Sequence, residues 1–259
     1  MSKFIWTQSA IKDLEKPETC PTRWKAQWID RLFKSKTSEP AEYGNYFEYL
    51  CIGANAKGEV TTDLPRNKDG TKTATQKRIE QQAELFKLMF DPKVPEYLGY
   101  DIADTQVKLV GEINGIPIEG TADFTGTLGV LTDLKLTEDL DNVRTPYGWG
   151  NPIEQLDLLQ QILYSQLYEQ QFGVKPNKVN LLIFEHGTQM RVKIINLNIS
   201  ESKIESCVER VTKAQEVVNH YDTNGWVVDP NKKECESCKL TDCKARYITQ
   251  KIQVVNINY

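Results

Sequence analysis

Two aspartates and a lysine are the residues of this 259-residue chain best placed to do chemistry. In TADFTGTLGVLTDLKLT, residues 121–137, Asp123 falls on one expected strand and Asp133-Leu134-Lys135 on the next. Asp133 and Lys135 are two positions apart, so on a strand their side chains share a face. Leu134 points the other way, into the core, and its backbone carbonyl stays free at the strand end. Two carboxylates and an ammonium at one end of a hairpin suit a divalent cation and an activated water beside a phosphodiester. Mg²⁺ or Mn²⁺ takes hard oxygen ligands, keeps some of its waters and stabilises developing charge. The lysine could orient or deprotonate the water, or stabilise negative charge on the phosphoryl group. An isolated Asp-x-Lys on a strand is as readily a cross-strand ion pair on a wet face. The neighbouring motifs decide between the two.

Upstream, Gly44-Asn45-Tyr46-Phe47-Glu48 places a carboxylate on an expected helix. Downstream, Asp157, Gln160 and Tyr164 fall at i, i+3 and i+7, a polar stripe beside Ile153, Leu156, Leu159 and Leu163. Such a stripe, facing the strand ends, would hold a metal-bound water or a phosphate. Glu112 is a further acidic candidate of lower weight. Residues 138–151, EDLDNVRTPYGWGN, lie where a segment could grip a nucleic-acid strand, with Arg144 toward phosphate. Tyr147 and Trp149 could stack on bases there. Trp24 could do the same, though its spacing fits a core position better.

The six cysteines are unevenly placed. Cys235-x-x-Cys238-x4-Cys243 has ligand-like spacing and lacks a fourth partner, for which Cys20 is the best candidate. Four thiolates hold a [4Fe–4S] cluster or, as the alternative, zinc. Such a site would tie together the two ends of the chain, and closing so long a loop stabilises a fold. Cys51 and Cys207 have apolar helical neighbours and are expected in the core. His186 and His220 stand alone. There is no Ser-His-Asp pattern and no Gly-Lys-Ser/Thr phosphate loop, so no ATP motor of its own is expected.

The elements that must position these residues follow from periodicity and punctuation. Residues 9–34 read as helix broken at Pro17 and Pro21, with Trp24, Trp28 and Leu32 on one core face. Residues 41–52 and 76–90 read as two more helices, separated by a polar loop over 57–75. The period then switches to two: TQVKLVGEI, Asn114-Gly115 and IPIEGTADF form a hairpin signal, and VLTDLKLT is a third strand. A helix is expected over 152–172, capped by Asn151, with Pro152 in its first turn and Gly173 at its end. KVNLLIFEH and QMRVKIINL are two strands joined at Gly187, followed by a helix from Glu201 to about Tyr221 capped by Ser200. The order predicts a mixed α/β fold, a central sheet with helices on its faces.

Composition sets the outer bounds. The net charge of −4, 39% hydrophobic and 26% charged residues are those of an ordinary globular protein. An acidic balance does not exclude DNA, because a metal site is itself acidic and binding needs only a local basic surface. Arg23 with Lys25, Lys72 to Arg78, and Lys232 to Arg246 are the candidate patches. No apolar run approaches the roughly 20 residues that cross a bilayer. MSKFIWTQSAIKDLEK has no basic segment followed by an apolar core, so no signal peptide, no membrane partner and a cytoplasmic location are the expectations.

Taken in order, Gly44-x-x-x-Glu48, Gly120-Thr121-Ala122-Asp123, Asp133-Leu134-Lys135-Leu136-Thr137 and Gln160-x-x-x-Tyr164 resemble the motif set of the PD-(D/E)XK nuclease superfamily, RecB-like exonuclease branch. The resemblance implies a restriction-endonuclease-like mixed sheet flanked by helices. It implies Mg²⁺ or Mn²⁺ held by Glu48, Asp123, Asp133 and the Leu134 carbonyl, catalysis by Lys135, and support from Gln160 and Tyr164. One early and three late cysteines are similar to the iron–sulfur staple of RecB-like nucleases, which implies Cys20, Cys235, Cys238 and Cys243 as its ligands. The expected organisation is one nuclease domain over 1–259, with 1–40 and 225–259 forming a cluster-bearing elaboration. The implied activity is a metal-dependent DNA exonuclease acting on ends or single strands in recombination, repair or phage DNA processing. A CRISPR spacer-acquisition nuclease working with integrase partners, and a non-catalytic DNA-binding or assembly subunit, are the alternatives. A recombination or integrase protein and a second copy of the chain are the protein partners this leaves open.

Overall fold

In a computed structural model, residues 4–34, 37–53, 64–93, 98–144, 148–226 and 243 are described. The elements are α1 (Gln8–Leu14), α2 (Pro21–Trp28), α3 (Glu39–Ile52), α4 (Ala74–Met89), β1 (Ile102–Ile113), β2 (Ile116–Gly126), β3 (Val130–Thr137), α5 (Leu159–Phe172), β4 (Lys178–Glu185), β5 (Val192–Leu197) and α6 (Glu201–Asn224). The five strands form one mixed sheet in sequence order, β1-β2-β3-β4-β5. β3 runs antiparallel to β2 and parallel to β4, and β5 returns antiparallel to β4. The parallel step requires a crossover, which α5 provides. No helix among the described residues is long and apolar enough to cross a membrane.

The chain divides into two compact units, one of residues 1–36, 113–118 and 208–259, the other of residues 37–112 and 119–207. In the first, Thr7 caps α1 by accepting from the Ala10 N–H, and Pro21 opens α2, where its missing N–H leaves no bond unmade. The Trp6 N–H donates to Pro117 and its indole donates to Gln215, 2.8 Å away. Trp24 is fully buried, donates to the Ala10 carbonyl and stacks on Trp226 at 6.1 Å and 8°. It is a core residue, so the base-stacking role falls away. Leu32 does not continue its face: α2 ends at Trp28, Arg31 turns the chain at φ 53°, and Leu32 is 67% exposed.

In the second unit, α3 and α4 cover the sheet face carrying Phe124, Val130, Leu134, Leu182 and Phe184. Phe47, Phe86 and Phe184 pack with centroids 4.9–6.0 Å apart, so the outward side of Leu134 is aromatic core, as its alternation required. The β1–β2 turn is made by Asn114 and Gly115, both at positive φ (52° and 72°), the conformation that makes Asn-Gly the preferred hairpin tip.

The largest departure from the expected elements lies before α5. Asn151 does not cap a helix at 152. Its amide donates to the Gly148 carbonyl and closes a turn, and Pro152 is extended. One turn of 3-10 helix follows over Ile153–Gln155, and α5 begins only at Leu159. Asp157 therefore sits before the helix, where its carboxylate accepts from the Leu159 N–H. It does not extend a helical stripe with Gln160 and Tyr164. At the other end Gly173 (φ 75°) stops α5 as expected.

Candidate active site

The site is built where β2 and β3 part. Their paired register spans Phe124↔Thr132 to Gly126↔Val130. Beyond it, the Leu134 N–H donates to the Asp123 carboxylate at 2.6 Å. Asp123 thus completes the opening between the strands with its side chain. Asp133 stands beside it on the same face. Both carboxylates are buried, at 6% and 5% exposure.

Three donors converge on Asp133. The Lys135 ammonium lies 2.7 Å away, Gln160 Nε2 donates to Oδ1 at 3.0 Å, and Gln161 Nε2 donates to Oδ2 at 2.9 Å. Tyr164, one turn further along α5, accepts from the Thr121 N–H at 3.4 Å. Its ring lies so close to Gly120 that a Cβ there would overlap it, which is the physical requirement behind a glycine at that position. Gln161 is the member of this constellation that the spacing argument missed. Its only signal is a polar residue inside the apolar run of α5, and its amide Oε1 is buried without a partner.

The electrostatics set Asp123 apart. Burial, then the neighbouring Asp133, pushes its carboxyl well above the usual carboxylate range; Lys135 and the Leu134 N–H only partly offset this, and Glu48 adds to it. At Lys135, burial pulls the ammonium pKa down, but Asp133 and Asp123 outweigh that and hold it above the ordinary lysine value. With 31% of its side chain exposed, the ammonium can still reach a ligand. Burial and Asp133 push the Tyr164 phenol up to about 12.

Glu48 is close enough to act on Asp123, and its carboxylate accepts from Gln106 at 2.6 Å. Gln106 adopts φ 52° inside β1, a conformation that non-glycine residues seldom adopt outside turns and functional sites. Glu112 is not part of the site: it is exposed, and its backbone is strapped to Gln170 of α5. Among the described residues no three or more His, Cys, Asp or Glu side chains gather closely enough to hold one metal ion. The structure brings Asp123, Asp133, Lys135, Gln160 and Tyr164 together, and it keeps Glu48 at the margin.

These residues nevertheless fit a hard divalent cation. The donors are all oxygen, and two buried carboxylates raise each other's demand for positive charge. One further carbonyl oxygen, that of Gln161, is stranded beside them. Mg²⁺ is ordinarily held by one or two carboxylates, its own waters and substrate phosphates, so a third acid is not required.

A separate polar knot closes the ends of β3 and β4. Glu185, buried, takes both the Nε and Nη2 of Arg191 at 2.9 Å, together with the Arg191 and Leu140 N–H groups. Arg191 also binds Asp141 at 2.8 Å. This ties the segment after β3 down and leaves a cavity of about 760 Å³, lined by Arg78, Thr137, Glu138, Arg144 and Gln189 among others. Arg144 is exposed at its wall. Trp149 packs against the core at Leu140, Leu181 and Ile183, while Tyr147 lies outside the described residues.

Of the four cysteines expected to share a cluster, Cys235 and Cys238 lie outside the described residues. Cys20, at the start of α2, is buried, and Cys243 is half-buried; neither is in a disulfide. Cys207 is in the core as expected, and burial pushes the half-buried Cys51 thiol far up.

No protein-family model and no curated protein matches the chain. Among solved structures it is similar to a protein from Eubacterium rectale provisionally named an exonuclease, at 17% identity and a TM-score of 0.61, over 98% of this chain and 90% of that one. A second structure, SSO0001, aligns over 92% of this chain and 96% of its own at 12% identity, with a TM-score of 0.31. The first likeness extends over nearly all of both chains and is a likeness of fold.

Proposed function

We propose that the chain is a metal-dependent deoxyribonuclease, an exonuclease acting on DNA ends or single strands in recombination, repair or phage DNA processing. The observation that carries this reading is the buried Asp123–Asp133 pair with Lys135 at the opening between β2 and β3. The likeness to a structure provisionally named an exonuclease supports it from the side of the fold. Asp123 and Asp133 would hold Mg²⁺ or Mn²⁺, with the Leu134 carbonyl and Glu48 as further donors. The cation supplies Lewis acidity and a water of lowered pKa.

The protein's own groups divide the remaining work. Lys135 is held protonated, so it donates: to Asp133 at rest, and to a non-bridging phosphoryl oxygen as charge develops there. In this reading its role is charge stabilisation rather than proton abstraction. Gln160 fixes Asp133, and Tyr164 braces the strand that carries Asp123 through its contacts at Gly120 and Thr121. Arg144, at the wall of the cavity, contacts the phosphate backbone.

Cleavage of end-labelled single- and double-stranded DNA with Mn²⁺ tests the reading. Wild type should degrade from ends, and Asp133→Ala and Lys135→Ala should not. Wild-type protein without activity on either substrate would overturn it.

In the same reading Cys20, Cys235, Cys238 and Cys243 hold a [4Fe–4S] cluster, with zinc as the alternative. Among the described residues, 4–34 and 208–226 belong to one compact unit, which supports this. Anaerobically purified protein should be brown with a cluster and colourless with zinc, and Cys20→Ser should lose either metal.

A further inference from the structure

The Asp133 carboxylate is gripped by two consecutive amides of α5, Gln160 on Oδ1 and Gln161 on Oδ2. The two glutamines differ in one respect. Gln160 is half-buried, whereas Gln161 is 4% exposed and its Oε1 is buried with no hydrogen-bond partner. The amide is not free to turn over and remedy this. Rotation would set Oε1 against the Asp133 carboxylate and forfeit the 2.9 Å bond. A buried carbonyl left unpaired costs about 1–3 kcal/mol, so its presence beside an acid pair calls for a donor that arrives with a ligand.

We infer that Gln161 is a positioning residue of the cation site: Nε2 aligns Asp133, and Oε1 accepts a hydrogen bond from a water bound to the cation. The inference rests on the reading of Asp123 and Asp133 as that site. The 2.9 Å Nε2 bond holds Oε1 one amide away from the Asp133 carboxylate, where it can accept from a water carried by a cation. A small divalent cation that dehydrates reluctantly supplies such waters. Lys135 and Gln160 are already bonded to Asp133, and Tyr164 is at Thr121, which leaves Gln161 with the one unengaged buried acceptor among these residues.

The test is Mn²⁺ affinity of the full chain, measured by electron paramagnetic resonance without DNA, together with thermal unfolding. Gln161→Met keeps the volume and removes both amide functions. It should weaken Mn²⁺ binding about tenfold, as loss of an outer-shell partner does, while the metal-free unfolding temperature stays within a few degrees of wild type. In the wild-type protein, proton electron–nuclear double resonance of bound Mn²⁺ should show a coordinated-water coupling that changes in Gln161→Met. Gln161→Met binding Mn²⁺ as wild type does, while Asp133→Asn does not, would overturn this inference and leave the active-site reading standing. A water-proton coupling identical in wild type and Gln161→Met would overturn the role of Oε1. Wild-type protein that fails to bind Mn²⁺ would overturn both readings together.

Discussion

Asp123 and Glu185 are both buried carboxylates of the same sheet, yet their surroundings treat them in opposite ways. Glu185 ends β4 and meets one edge of a planar guanidinium through two N–H groups, plus two backbone N–H groups; led by its bonds to Arg191, its pKa falls to about 2. Asp123 ends the paired part of β2, receives one backbone N–H and faces another acid, and its pKa rises well above the usual range. One site has its charge matched in full and holds the chain in place. The other keeps an unmet demand for positive charge, which is what a cation-binding centre needs before its ligand arrives.

The sharpest way to break this contrast is to exchange the expected effects. Asp133→Asn is isosteric and should lower nuclease turnover by about 10³-fold, within the range of losing a cation ligand or a charge-stabilising group. Its thermal midpoint should scarcely move. Arg191→Leu should do the reverse. It strands the Glu185 carboxylate and should destabilise the fold by about 3 kcal/mol, with turnover per folded molecule retained. Steady-state kinetics and urea titrations on both variants read the two axes. A Glu185 knot that matters for turnover more than for stability would erase the distinction drawn above.

The two carboxylates should also give pH dependences of opposite sign. Glu185 has a depressed folded pKa, so its stabilisation is fully present above the ordinary value of 4.5 and is lost as pH falls through about 2. The swing is about 3 kcal/mol at 1.36 kcal/mol per unit. Asp123 has a raised folded pKa. Its favourable contribution is present below the ordinary value of 3.8 and is lost as pH rises through the folded value. In metal-free protein, Glu185→Gln should flatten the acid limb of stability against pH. Asp123→Asn should flatten the decline on the neutral side. Saturating Mn²⁺ should abolish that decline in wild type. If both variants flatten the same limb, the contrast fails.

A smaller effect separates contact from hydrogen bonding at Tyr164. Its bond to the Thr121 N–H is long at 3.4 Å, whereas its ring fills the space a Cβ at Gly120 would take. Gly120→Ala should therefore cost about 1–3 kcal/mol through overpacking and disturb β2 just before Asp123. Tyr164→Phe should cost less than about 0.5 kcal/mol, near the low end for a hydrogen bond. Chemical denaturation orders the two, and a larger loss in Tyr164→Phe would mean that the hydroxyl, not the packing, holds the strand.

What the sequence made legible is what local chemistry dictates. Asn114-Gly115 announced the hairpin because positive φ is needed there, and Asp133-x-Lys135 announced a shared face because strand period is two. Gly173 marked the end of α5 for the same conformational reason. The start of α5 was misread because Asn151-Pro152 is a sound cap signature locally, but a partner three residues back, Gly148, takes the amide instead. Leu32 kept its four-residue spacing after the helix that would have given it meaning had ended. Glu48 was found as an acid on a helix. That its carboxylate accepts from Gln106 depends on a left-handed residue within a strand, for which glutamine carries no signal. Gln161 was passed over because a helical stripe selects residues three and four apart, while long side chains on adjacent positions can still reach one carboxylate from two sides.

The smallest predicted effect concerns Arg144, which lines the cavity together with Arg78 of the Lys72–Arg78 patch. Its cavity also carries Glu138, Asp139 and Asp141, so the local field is not uniformly basic. Asp139 and Asp141 are drawn toward Arg191, and Arg144 is exposed. A single phosphate contact is worth little near physiological salt but has a defined signature. Arg144→Ala should weaken binding of single-stranded DNA a few-fold, independently of sequence, and reduce the slope of log affinity against log salt by about 0.7. Fluorescence anisotropy across a salt series measures both. Affinity and slope identical to wild type would remove Arg144 from the DNA path and leave the cavity to the Glu185 knot alone.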